Sequence, residues 1–157
     1  ARPPEGAPVK ARSRAAANRN RPFPRERSRG NGPVSHLAIL LWSVDVERPD
    51  LAAAPFVYAA AAAALDAEVE IHFAARSVRL LVAGEAAARS SAAQGGRSLH
   101  AFMQDAARGG ARFLACSMAW AEYVREGEAT IPEFSGHAGA TAFVARSLDP
   151  EWRTLVF

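Results

Sequence analysis

The feature that most constrains the fold is the alternation of short, strand-like segments with stretches of helical composition. The strand-like segments are His36 to Trp42, Glu68 to Phe73, Arg112 to Ala115 and Trp152 to Phe157. His36 to Trp42 is a continuous apolar run, which is typical of a strand buried on both faces, whereas Glu68 to Phe73 alternates polar and apolar residues. Helix-length connections between them favour parallel pairing, because a parallel crossover needs a long connection. We therefore predict an α/β domain over residues 34–157, a three-layer sandwich with a mainly parallel sheet.

The connecting segments are helical by composition. Leu51 to Asp66 is alanine-rich, and Pro55 lies near its start, where a missing N–H is tolerated. Ser98 suits the N-cap of a helix from Leu99 to Arg108, which Gly109-Gly110 would end. The remaining predictions are a strand extension or helix at Val78–Val82, a helix from Cys116 to about Arg125, an acidic loop at Glu126–Ser135, and a helix at Gly136–Arg146 with Phe143 and Val144 facing inward.

The positive charge is concentrated before this domain. Residues 1–30 hold eight Arg and one Lys against two Glu, a net charge of +7, whereas residues 31–157 carry −4. We predict that residues 1–33 form a disordered, basic, Arg/Pro-rich tail, because its few bulky apolar side chains cannot offset the entropy of ordering. The tail is open to three interpretations: a phosphate-binding segment, a transit peptide, or an extension translated from a misplaced start codon. The third is favoured, and we expect no nucleic-acid partner because aromatic residues are scarce there.

Cys116 is the single cysteine and the strongest candidate for chemistry. It follows the predicted strand Arg112–Ala115 and precedes a helix, a place where α/β proteins form their ligand crevice. The positive end of the helix dipole favours the thiolate, which is the nucleophilic form of cysteine. We expect the amides after Ser117 to face the thiol. In a binding module, Ser43, Asp45 and this loop would form a pocket across a subunit contact. A buried cysteine that acts only as a small hydrophobic side chain is the alternative.

Other site chemistries lack support. A single cysteine provides no disulfide framework or cysteine-based metal site, and the four histidines are scattered without metal-ligand spacing. No glycine-rich dinucleotide or phosphate loop follows the first strand. We therefore expect no metal and no cofactor. No apolar run approaches the ~20 residues that span a bilayer, so we expect no membrane partner and a cytoplasmic, reducing location.

From Val34 to Phe157 the chain resembles the DsrE/DsrF-like sulfur-relay family, particularly the subgroup often labelled predicted peroxiredoxin. The resemblance rests on the order of four segments: Leu37–Trp42, Ala67–Phe73, Gly110–Ala119 with its cysteine, and Gly139–Phe143 before the closing strand Thr154–Phe157. It implies a compact α/β sandwich that assembles as a trimer or hexamer. It also implies that Cys116 carries sulfane sulfur as a persulfide.

These observations lead to two functional hypotheses. The first is a sulfur carrier or sulfurtransferase-like protein, in which Cys116 accepts sulfane sulfur from a donor protein and passes it to an acceptor protein's thiol. The second is a non-catalytic, oligomeric small-molecule or protein binding module with a structural cysteine. Two-cysteine peroxidase chemistry within one chain is disfavoured, because no resolving cysteine is present.

Overall fold

A computed structural model describes residues 35–44, 47–90 and 95–157, which contain five strands and six helices. The strands are β1 (His36–Leu41), β2 (Glu68–Phe73), β3 (Arg112–Ala115), β4 (Phe134–His137) and β5 (Trp152–Val156). The helices are α1 (Pro49–Ala52), α2 (Ala54–Ala63), a 3-10 helix (Ala75–Leu81), α3 (Leu99–Arg108), α4 (Ser117–Tyr123) and α5 (Ala140–Leu148). The predicted tail, residues 1–33, and the candidate Asp45 lie outside the described residues.

The five strands form one parallel sheet in the order β4-β3-β2-β1-β5. At its centre, Ile39 of β1 pairs with Ile71 of β2, which pairs in turn with Phe113 of β3. Helical segments connect the strands, as the crossover argument requires. The prediction of an α/β fold with a parallel sheet is confirmed.

Alternate residues of β2 face two different layers. Phe73 contacts the ring of Phe56 from α2, with centroids 6.1 Å apart, in the main apolar core. His72 points the other way and meets Phe143 of α5, with centroids 5.4 Å apart. The sheet therefore has α2 on one face and α5 on the other, which is the predicted three-layer arrangement.

The largest error of the sequence analysis lies after residue 130. Residues 134–137 form an edge strand beside β3, where a loop and the start of a helix were predicted, and α5 begins only at Ala140. The segment Phe134-Ser135-Gly136-His137 has no apolar run, and Gly136 has a φ of +131°, so its strand character depends on pairing with β3. Val144 was predicted to face inward, yet 49% of its surface is exposed.

Two smaller differences occur in the helices. The predicted helix over 51–66 is two helices separated at Ala53, because Pro55 in the first turn of α2 lacks the N–H that a continuous helix would use. The segment at Val78–Val82 belongs mainly to the 3-10 helix. The predicted cap is confirmed: the Ser98 hydroxyl accepts a hydrogen bond from the Ala101 amide at 3.2 Å.

Candidate functional site

Cys116 is the first residue after β3, at the carboxyl edge of the sheet. Its amide donates to the Phe73 carbonyl of β2 at 2.8 Å, and its own carbonyl accepts from the Trp120 amide at 2.8 Å. These bonds hold its backbone between β2 and α4. The thiol is free and partly exposed. The single cysteine therefore lies beside the ends of β2 and β3, where a ligand can reach it.

The thiol lines a pocket of about 220 Å³ between the sheet edge and α5. The ends of β1 and β2 contribute Leu40, Trp42 and His72, and α5 contributes Phe143 and Val144. Apart from the thiol, the His72 imidazole and the Trp42 indole, every side chain in its wall is hydrocarbon. The pocket therefore suits a small, mainly apolar group next to the sulfur.

A buried polar cluster lies beside the pocket, beneath α5. Glu70 and His72 are only 6% and 4% exposed, and His72 Nε2 lies 3.3 Å from Glu70 Oε2. Arg146 of α5 binds the same carboxylate through Nε at 3.0 Å and Nη2 at 3.2 Å, and Arg112 of β3 approaches it at 3.4 Å. The two guanidinium groups compensate a carboxylate that would otherwise be unstable at this depth.

The protonation states of this cluster follow from its charges. Burial raises the pKa of Glu70, but the hydrogen bonds and charge of Arg146 outweigh it and bring the pKa below its ordinary value. Burial lowers the pKa of His72, the charge of Glu70 raises it, and Arg146 and Arg112 lower it further, so the net direction is downward. Glu70 is thus ionised and can only accept a hydrogen bond. The neutral imidazole must carry its proton on Nε2, which leaves Nδ1 as an acceptor.

Two of the other predicted site residues, Ser117 and Ser43, do not line this pocket. Ser117 begins α4 with an exposed side chain, and it does not line the pocket. Ser43 is also exposed, and its amide donates to the Phe157 carbonyl at 2.9 Å; the adjacent Trp42 lines the pocket in its place. Asp45 lies outside the described residues. Strand length explains the shift, because β1 ends at Leu41 and the wall includes only the next residue.

The expected contact between the thiol and the first-turn amides of α4 is also absent. Within the described part of the chain, the Cys116 side chain makes no capping hydrogen bond to α4. Its sulfur lines the pocket beneath α5 instead. The functional argument for Cys116 therefore rests on its exposure and its pocket, and not on a helix cap.

Of the acidic residues after Cys116, Glu128 and Glu133 pair with basic side chains, whereas Glu122 and Glu126 are exposed. Glu128 binds Arg79, which also binds Glu85, and Glu133 lies 3.2 Å from His100. The acidic segment is thus only partly solvated. The cavity of about 810 Å³ around Arg79 is lined by arginines and glutamates together, so its charges are largely balanced.

His72 is the site residue that sequence analysis missed. The sequence indicates this residue only through Glu70 and His72, two polar residues at alternate positions of one strand. The fold buries that strand on both faces. The alternation of polar and apolar residues predicts a strand here, but it does not show that the polar side chains are buried. His72 could have been singled out because an all-parallel sheet leaves its central strands no solvated face. The described residues contain no group of three or more potential metal ligands.

Among the described residues, no helix is both long enough and apolar enough to cross a membrane. The chain matches no family model and no curated protein sequence. Its fold is similar to that of the protein of unknown function MTH1491 from Methanobacterium thermoautotrophicum, with a TM-score of 0.53 and 16% identity. The match covers 78% of this chain and 99% of that one. At this identity the similarity extends to the fold alone.

Proposed function

We propose that this protein is a sulfur carrier with sulfurtransferase-like chemistry, in which Cys116 accepts sulfane sulfur and passes it to a partner thiol. The observation that carries the proposal is the position of the chain's one thiol: free, partly exposed, and in the wall of a pocket at the carboxyl edge of a parallel sheet. The resemblance to the DsrE/DsrF-like proteins supports the same assignment. Sulfur-donor and sulfur-acceptor proteins would be its partners.

The proposed cycle needs no oxidant, metal or cofactor. The Cys116 thiolate attacks the outer sulfur of a donor persulfide, a Cys116 S–S bond forms, and the donor's S–S bond breaks to release its thiolate. The acceptor thiolate then attacks the outer sulfur on Cys116 and restores the Cys116 thiolate. One sulfur atom moves in each step, and no net electrons are exchanged. A single cysteine is sufficient for this relay, and we place it in the reducing cytoplasm.

The pocket adds a reason for a persulfide to persist on Cys116. The hydrocarbon walls of the pocket disfavour entry of the polar reductants that would remove the outer sulfur, because such molecules lose their contacts with water there. Partial exposure of Cys116 still allows a partner's cysteine to approach from outside. A partner's cysteine could then reach the sulfur, while a charged small reductant would enter the pocket less readily.

The direct test is sulfur uptake. Purified protein is incubated with a persulfide donor, and intact-mass and peptide spectra are recorded before and after reduction. We expect one added sulfur on the Cys116 peptide, removed by a reductant and transferred to an acceptor thiol. Cys116→Ser should take up none while retaining its circular dichroism and thermal midpoint. Failure of the wild type to take up sulfur from several donors would contradict the proposal.

The second candidate function is a non-catalytic, oligomeric binding module in which Cys116 is structural. The observation that favours it is the hydrocarbon wall of the pocket, which offers binding volume independent of thiol chemistry. The two functions differ in thiol reactivity. A carrier thiol should react with a small neutral alkylating agent at neutral pH and more slowly with a charged one, whereas a structural thiol should react with neither until the protein unfolds.

A further inference from the structure

One nitrogen of His72 has no role in holding the fold. The imidazole lines the pocket, and its Nε2 is engaged by Glu70. Within the described residues, no side chain or backbone group hydrogen-bonds Nδ1. The residue is only 4% exposed, yet Nδ1 is not one of the fully enclosed unpaired side-chain atoms, so it keeps some accessible surface. Because His72 lines the pocket, an acceptor without a protein partner at this place points to a ligand that donates a hydrogen bond.

The surroundings fix this nitrogen as an acceptor. Glu70 is held as a carboxylate by Arg146 and Arg112, and a carboxylate requires the proton of His72 to lie on Nε2. The ring of Phe143 meets the imidazole edge at 5.4 Å between centroids and limits its rotation. The cluster therefore holds His72, which lines the pocket, in the tautomer whose free acceptor is Nδ1. An outer partner fixes the tautomer of a catalytic or metal-binding histidine in the same way.

Volume and polarity define the class of molecule that fits. A dry cavity of roughly 150 Å³ accepts benzene, and sites for drug-sized ligands begin at roughly 300 Å³. The volume of about 220 Å³ lies between them and corresponds to one substituted ring or a short chain. No Asp, Glu, Lys or Arg lines the wall, so a charged ligand would be buried without a counterion. Water is a poor occupant, because it needs two to four polar partners.

We propose that this pocket binds a small, neutral, mainly apolar molecule that carries one hydrogen-bond donor, and that the donor bonds to Nδ1 of His72. The inference goes beyond sulfur transfer and does not depend on the reactivity of Cys116. A phenol-like molecule is the simplest member of the class. A molecule with the same shape and no donor should bind less well, because it leaves the buried nitrogen unpaired.

Phenol and toluene are the probes, since they have nearly the same shape and differ in one donor. Their dissociation constants are measured on the full chain by calorimetry or ligand-observed NMR, for the wild type and for His72→Phe. In the variant we expect the preference for phenol over toluene to fall by about fivefold, the effect of one neutral hydrogen bond. An unchanged preference would overturn the proposal. Ala138→Leu, which fills the pocket, should abolish binding of both probes; retention of both would place them elsewhere.

A second measurement avoids the variants. In wild-type protein with 15N-labelled histidine, we expect His72 to show a protonated Nε2 and an unprotonated Nδ1. Phenol should shift the Nδ1 resonance, and toluene should shift it much less. A proton on Nδ1, or equal shifts with both probes, would contradict the proposal. These readouts are independent of sulfur uptake, so either proposal can fail while the other stands.

Discussion

At the scale of single residues, the most unusual feature is a carboxylate inside a sheet face. Glu70 is 6% exposed and would be unstable there without Arg146 and Arg112. Arg146 also stacks on Trp152, with its guanidinium carbon 4.4 Å from the ring centroid. One arginine of α5 therefore links the central strand β2 to the edge strand β5, and its loss would leave a buried charge less well paired.

Arg146→Met should lower the free energy of unfolding by about 2 kcal/mol, measured by urea denaturation. The value lies below the full cost of breaking a buried pair, because Arg146 is partly exposed and Arg112 remains. Arg153→Met is the matched control and should change stability by less than about 0.5 kcal/mol, since Arg153 is exposed and, among the described residues, hydrogen-bonds only backbone carbonyls. Adding Glu70→Gln to Arg146→Met should restore part of the loss. A double variant less stable than Arg146→Met would contradict the explanation.

The His72 cluster also predicts a pH dependence of stability. The groups that face His72 are Glu70 on its own strand, Arg146 from α5 and Arg112 from β3, and Cys116 shares its pocket. The folded-state pKa of His72 is lowered from 6.5, so the unfolded chain binds more protons as the pH falls below that value. Stability present above pH 6.5 is therefore lost on acidification.

Urea denaturation between about pH 7 and pH 5 should show this loss in the wild type and a smaller one in His72→Phe. The pKa of Glu70 is lowered from 4.5, so the stability that depends on its ionised form is lost only at lower pH and does not affect the comparison between about pH 7 and pH 5. If the stability of His72→Phe fell as steeply as that of the wild type, the loss would not come from a buried neutral imidazole at His72.

At the scale of secondary structure elements, α2 and the end of α3 approach each other closely. Gly109 caps α3 with a φ of −74°, which any residue can adopt, so its backbone does not require glycine. The space for a side chain is what requires glycine here, because a Cβ atom on Gly109 would lie 2.8 Å from the Cβ of Ala63. Small residues at both positions let the two helices pack together on one face of the sheet.

Gly109→Ala should therefore destabilise the protein by about 1–3 kcal/mol through overpacking, measured by thermal or urea denaturation. Adding Ala63→Gly removes the clashing methyl group, so the double variant should lose less than the sum of the two single changes. Strict additivity would show that the two positions do not interact.

At the scale of the whole molecule, α5 and β5 carry much exposed apolar surface. Val144, Leu148 and Val156 are 49%, 79% and 62% exposed, and no residue of α5 is fully buried. Such a face on the same side of the sheet as the pocket is typical of a surface that another protein covers. The resemblance to a family of trimers and hexamers makes a second copy of this chain the expected partner.

We expect light scattering to give a mass of three or six chains at micromolar concentration. Leu148→Asp should lower that mass, because a charge cannot be buried in an apolar interface. Leu65→Asp is a matched control: Leu65 is equally exposed but follows α2, which packs on the opposite face of the sheet. A wild-type mass of one chain, or equal effects of the two substitutions, would count against this interface.

The sequence alone determined the β1, β2 and β3 segments, the helix α3 with its Ser98 cap, and the parallel pairing of the strands. Each of these depends on a local pattern, such as an apolar run of strand length or a serine before a helical stretch. The placement of Cys116 at the carboxyl end of β3 was predictable for the same reason, since it requires only the strand before it and the helix after it.

Only the tertiary structure decided β4, the pairing of Glu70 with Arg146, and the pocket that His72 shares with Cys116. The segment of β4 has no strand pattern of its own and pairs only because β3 offers it an edge. Glu70 and Arg146 are 76 residues apart in the chain, and their contact exists because α5 folds back across the sheet. Residue composition reveals what can be buried, but which polar groups meet there depends on contacts between distant segments.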